Sequence, residues 1–89
     1  MPQTISIIIT GKVQGVFYRQ STKEKAIELK ITGTVKNVAD GSVHIIATGT
    51  SAHLDALVDW CWKGPRSARV TSVLREESSF QLFDSFCIE

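Results

Sequence analysis

Apolar residues recur at every second position in Ile5, Ile7 and Ile9, with Ser6, Ile8 and Thr10 between them. That period predicts a half-buried strand with a partly apolar outer face. After a loop from Gly11 to Arg19 the period changes. Tyr18, Thr22, Ala26 and Leu29 fall at spacings of four, four and three, with Lys23, Glu24, Glu28 and Lys30 largely off that face. This spacing predicts a helix. Ser21 and Glu24 have capping-box spacing, so the helix starts at Ser21 or a turn earlier. Gly33–Val38 (GTVKNV) and Ser42–Gly49 (SVHIIATG) predict two further strands. Asp40-Gly41 between them is a hairpin signal, because both residues tolerate positive φ. Thr50 or Ser51 caps a second helix, in which Leu54, Leu57, Val58 and Cys61 share a face. Gly64-Pro65 ends it, glycine accepting the left-handed cap and proline unable to continue. Ala68 to Arg75 predicts a fourth strand. Its Val70 and Val73 are three apart, a break in alternation that points to a bulge. The tail FQLFDSFCIE carries a short last strand.

Strand, helix, strand, strand, helix, strand is a split βαβ repeat. It predicts an α+β, ferredoxin-like two-layer sandwich: an antiparallel sheet with both helices on one face, plus a short fifth strand. Eighty-nine residues without a linker or low-complexity tract predict one domain over 1–89. A chain of this size buries roughly 60–70% of its unfolded surface, enough for a thin core.

Composition adds mainly exclusions. Hydrophobic residues at 43% and charged residues at 21% are ordinary globular values, which argues against disorder. A net charge of +1 supplies no long-range attraction to nucleic acid or anionic membrane, so any anion recognition must be local. No stretch is long enough to span a bilayer, and MPQTISIIIT has neither a basic leader nor a sufficient apolar run for a signal peptide. Cys61 and Cys87 are too few and too far apart for a disulfide scaffold or a zinc site. They read as reduced thiols of a cytoplasmic protein.

Chemistry concentrates in the loop GKVQGVFYR. As a plain connection, its glycines turn the chain, Val13, Val16 and Phe17 cover the edge of the core, and Arg19 is solvated. As an anion site, the same residues do more. Arginine at a helix start faces the positive end of the macrodipole, at a cost of about 0.3–1 kcal/mol that a bound anion reverses. Amides at a helix start, shaped into a nest by glycine, bind phosphate. The guanidinium fork matches phosphate oxygens two at a time. Asn37 likewise has two readings. It either ends its strand before the Asp40-Gly41 turn, or offers an amide that donates and accepts, able to orient a water.

GKVQGVFYR, then GTVKN with DG three residues on, then WCWKGPRSARV, resembles the acylphosphatase family from about Gly11 to Val70. Phe86 and Ile88 give a weaker echo. The resemblance implies hydrolysis of carboxyl–phosphate mixed anhydrides to a carboxylate and inorganic phosphate, without metal or other cofactor. By the same resemblance, Arg19 and the backbone amides of Gly15, Val16, Phe17, Tyr18 and Arg19 hold the phosphoryl group, and Asn37 holds the attacking water. Small acyl phosphates are then the substrates, and inorganic phosphate or sulfate the inhibitors, of a monomer with no nucleic-acid or membrane partner. The sequence departs from the family at Lys30, where glycine often follows the helix, and at Thr34, where an aromatic residue often stands.

Other residues read as structural. His44 and His53 face solvent without metal-like partner spacing. Phe17 and Tyr18 are core or loop-anchoring side chains. Trp60 and Trp62, two apart on a helix, cannot share a face, so one packs and the other is exposed. An RNA-recognition domain is excluded by the lack of aromatic residues in SVHIIATG, and a copper chaperone by the lack of cysteine in the first loop. The rival is a module that binds phosphoryl ligands or partners through the same loop without turnover. A chain ending at Glu89, without zinc-binding segments, is expected to be free-standing rather than part of a hydrogenase-maturation protein.

Overall fold

The computed structural model describes all 89 residues. In chain order the elements are β1 (Gln3–Lys12), α1 (Tyr18–Glu28), β2 (Thr32–Asn37), β3 (Val43–Gly49), α2 (Ser51–Lys63), β4 (Arg69–Ser78) and β5 (Phe86–Ile88). They form one five-stranded sheet in the order β4-β1-β3-β2-β5. The first four strands pair antiparallel, as expected, but β5 lies parallel to β2, so the sheet is mixed. The reason lies in the connection. Gln81 donates its amide to Thr4 Oγ1 (2.9 Å) and its carbonyl accepts from Thr48 Oγ1 (2.8 Å), on the sheet face away from the core. The chain leaving β4 thereby crosses the sheet and enters the opposite edge in the direction of β2.

Ile5, Ile7, Ile9, Val35, Val43, Ile45 and Ala47 are fully buried on the inner face. Both helices cover that face, α1 against β2 and β5 and α2 against β4, β1 and β3. Burial of such side chains, at about 1.5–3 kcal/mol each, is the main force holding the layers together. Thr10 pairs with Ser72 but Gly11 with Val70, leaving Thr71 as the extra residue of a bulge. The bulge is why Val70 and Val73, three apart, both pack on the core.

Helix α1 begins a turn before Ser21, so the Ser21–Glu24 capping box does not form and Ser21 donates its amide to the Phe17 carbonyl at 3.0 Å. Its far end keeps Lys30 at φ 57, a left-handed cap despite the lysine. Lys30 N donates to Ile27 O (3.1 Å) and Ile31 N to Ala26 O (2.8 Å), the paired bonds of a Schellman end. Buried Ile31 fixes this reversal. In α2, Thr50 caps through its side chain, accepting from His53 N. Gly64 ends the helix at φ 65 and ψ −172, so φ is positive as expected but ψ is extended rather than left-handed helical.

Candidate active site

The loop between β1 and α1 is held at three points. On its inner side, Val13 and Val16 are buried. At its middle, Gln14 Nε2 donates to the carbonyls of Val38 (2.7 Å) and Ser42 (2.9 Å), which flank the Asp40-Gly41 hairpin. At its end, Tyr18 is 1% exposed, donates its hydroxyl to the Cys61 carbonyl at 2.6 Å, and packs its ring against Trp60 at 5.5 Å between centroids. Burial pushes the Tyr18 hydroxyl above its ordinary value, so it remains protonated throughout the physiological range. Gly64 makes room for that ring, because a Cβ there would meet Tyr18 Cε2 at 2.7 Å.

Between these anchors the backbone turns back on itself. Gly15 has φ 74 with open space around it, so only its backbone conformation demands glycine. Phe17 also has positive φ, 64, at a cost of roughly 1–2 kcal/mol for a residue with a Cβ. Val16 and Tyr18 both point inward, and the left-handed turn at Phe17 between them throws its side chain outward. Phe17 is therefore 81% exposed, not part of the core as expected, whereas Tyr18 is a core anchor.

Val13, Gly15, Phe17, Tyr18, Arg19, Gln20, Asn37 and Ile88 line one cavity of about 380 Å³. Arg19 stands in the first turn of α1, where no acidic residue offsets it. Its Nη1 donates to the main-chain oxygen of Glu89 at 3.1 Å. Asn37, last residue of β2, lines the same cavity, and its Oδ1 is buried without a protein donor. A buried carbonyl without a hydrogen-bond partner is uncommon in folded proteins. Arg19, Asn37 and the Gly15–Tyr18 segment are thus brought together. Val16 is buried beneath the loop and its side chain does not line the cavity.

Gln14, Gln20 and Ile88 join the site without having been singled out for it from sequence. A glutamine in a polar loop carries no signal that its amide will bridge two carbonyls of another hairpin. Trp60 packs and Trp62 is exposed, as their spacing required. No three His, Cys, Asp or Glu side chains group in a way that would hold a metal ion.

The acylphosphatase family model matches residues 5–88. An acylphosphatase of Xanthomonas campestris is 43% identical over 84 residues, covering 94% of this chain and 96% of that protein. Among solved structures, an acylphosphatase from Coxiella burnetii is 39% identical with a TM-score of 0.96, over 99% of this chain and 93% of that one. One from Bacillus subtilis is 34% identical with a TM-score of 0.95, over 100% and 99%. Fold and relatives together define an α+β hydrolase. The chain belongs to the acylphosphatase family.

Proposed function

We propose that this chain hydrolyses small acyl phosphates to a carboxylate and inorganic phosphate without a metal ion. In this reading Arg19 and the amides of Gly15–Arg19 hold the phosphoryl group, and Asn37 orients the water. The observation that supports it is the meeting of Arg19, the loop residues Gly15, Phe17 and Tyr18, and Asn37, whose Oδ1 has no protein partner, around one cavity. Fixed donors aimed at the equatorial oxygens stabilise the charge of phosphoryl transfer, and positioning supplies much of the rate. Water attacks phosphorus and the bond from phosphorus to the acyl oxygen breaks. The electron pair leaves on a carboxylate, a weak base that needs no protein acid. The proton released by the water goes to a phosphoryl oxygen, since no Asp, Glu or His lines the cavity.

The same reading makes inorganic phosphate and sulfate competitive inhibitors. It describes a single-domain, monomeric, cytoplasmic enzyme of small molecules, with neither nucleic acid nor membrane as partner. The net charge of +1, which supplies no long-range attraction to a polyanion, supports the small-molecule reading.

The test is turnover of acetyl and benzoyl phosphate with and without excess chelator, beside a phosphate monoester. Acyl phosphates should be hydrolysed at a rate the chelator leaves unchanged, and the monoester, with its poor alkoxide leaving group, far more slowly. A rate lost to chelator and restored by a divalent ion would overturn the metal-free reading. Anion binding with no turnover would favour the non-catalytic module instead.

A further inference from the structure

Four apolar residues line the cavity, but they are not equivalent. Val13 and Tyr18 are each 1% exposed, so their surface is already committed to the core. Only Phe17, at 81%, and Ile88, at 38%, retain apolar surface to bury against a ligand. Phe17 is also the N-cap of α1, at φ 64 and ψ 24 with no side-chain cap bond. A residue needed only for the cap would be Ser, Thr, Asp or Asn, and one needed only for the turn would be glycine. An exposed aromatic ring in a strained position serves neither local purpose. Strain of this kind persists at ligand clamps, where the side chain has work outside the fold.

We propose that Phe17 and Ile88 form the acyl-group face of the site, selecting substrates whose acyl part is aromatic or bulky and apolar over small ones such as acetyl phosphate. This rests on the acyl-phosphate reading above. A phosphoryl group held by the Gly15–Arg19 amides places the attached acyl carbon beside the residue whose own amide belongs to that cradle. Arg19, Gln20 and Asn37 are the polar side chains among the lining residues, so the apolar part of the substrate is left to Phe17 and Ile88. Covering the exposed ring with an aromatic acyl group is worth roughly tenfold in selectivity.

The experiment measures the ratio of kcat/KM for benzoyl phosphate to that for acetyl phosphate in wild type, Phe17→Tyr, Phe17→Asn and Ile88→Ala. Both substrates carry the same phosphoryl group, so any disturbance of the cradle cancels in the ratio. Asparagine tolerates the left-handed conformation better than other non-glycine residues and preserves the backbone turn. The ratio should be at least about tenfold in wild type, persist in Phe17→Tyr, and fall about tenfold in Phe17→Asn and severalfold in Ile88→Ala. In parallel, the dissociation constants of phenylphosphonate and methylphosphonate are compared by calorimetry, a readout that needs no turnover. If neither acyl phosphate is hydrolysed but phenylphosphonate binds more tightly and loses that advantage in Phe17→Asn, the apolar face stands and the hydrolase reading falls. If acyl phosphates are hydrolysed and neither ratio moves in the variants, the apolar face is wrong and the hydrolase reading stands. Should Phe17→Asn not fold, the Ile88→Ala ratio decides.

Discussion

Arg19 Nη1 donates to the main-chain oxygen of Glu89, a residue 70 positions away, at 3.1 Å. Glu89 is itself fixed by its amide, which donates to the Val35 carbonyl of β2 at 2.8 Å. Through Glu89 the guanidinium is linked to the strand that carries Asn37. In the proposed function Arg19 holds the phosphoryl group, so Arg19→Ala should weaken phosphate binding and lower turnover by ~10²–10³, the usual loss of one oxyanion donor. Arg19→Lys should rescue little, since an ammonium cannot reproduce the planar fork. The inhibition constant of phosphate and kcat on both variants check this, and wild-type turnover in Arg19→Lys would contradict it.

Asn37 should separate from Arg19 by role. Asn37→Ala is expected to lower kcat while leaving the phosphate inhibition constant close to that of wild type, because in the proposed function the amide serves the water rather than the phosphoryl group. Its stability should not suffer. The variant removes a buried carbonyl without a protein donor, a group whose burial costs ~1–3 kcal/mol when unsatisfied. A melting temperature equal to or above that of wild type, with turnover strongly reduced, is the expected pair of results. Undiminished turnover would return Asn37 to a strand-end role.

Lys30 gives a purely structural prediction. It occupies φ 57 at the end of α1, far along the helix from Arg19. Lys30→Gly should relieve a cost of about 1–2 kcal/mol, offset in part by the greater entropy of glycine in the unfolded chain. The net gain of about 1 kcal/mol corresponds to roughly 4–8 °C in Tm for a domain of this size. A thermal melt that fell instead would mean that the lysine side chain contributes more than the backbone strain costs.

Alkaline pH should destabilise the fold through the anchor of the loop. Burial raises the Cys61 thiol from 9.0 to about 12, and burial raises the Tyr18 hydroxyl above its ordinary 10.0. Both groups are neutral when protonated, so their contribution is full below pH 9.0. As pH rises further, the unfolded chain ionises first, and stability is lost progressively towards the folded value near 12. Tm should fall across that window, less steeply in Cys61→Ala. A thiol reagent at neutral pH should modify the exposed Cys87 and reach the buried Cys61 only on unfolding.

Local pattern carried much of this protein. Period-two isoleucines, the helical face of Tyr18, Thr22 and Ala26, the Asp40-Gly41 hairpin and the three-residue step from Val70 to Val73 each depend on neighbours within a few positions. The backbone around them therefore follows from sequence. The candidate anion site was proposed on similarly local grounds, from Gly15 and Arg19 close to a helix start, whereas Gly11 lies in β1 opposite Val70.

Tertiary structure decided what depends on residues distant in the chain. Phe17 points outward because Val16 and Tyr18 are both claimed by the core, and Lys30 keeps a left-handed cap because buried Ile31 fixes the reversal. Strand β5 runs parallel to β2 because Gln81 is tied to Thr4 and Thr48 across the sheet. Gln14 became a strut only when Val38 and Ser42 presented carbonyls to its amide. Propensity and periodicity act over one or two turns of chain, whereas the cavity shared by Arg19, Asn37 and Ile88 is made by long-range burial, whose free energy exists only once the sheet has closed under both helices.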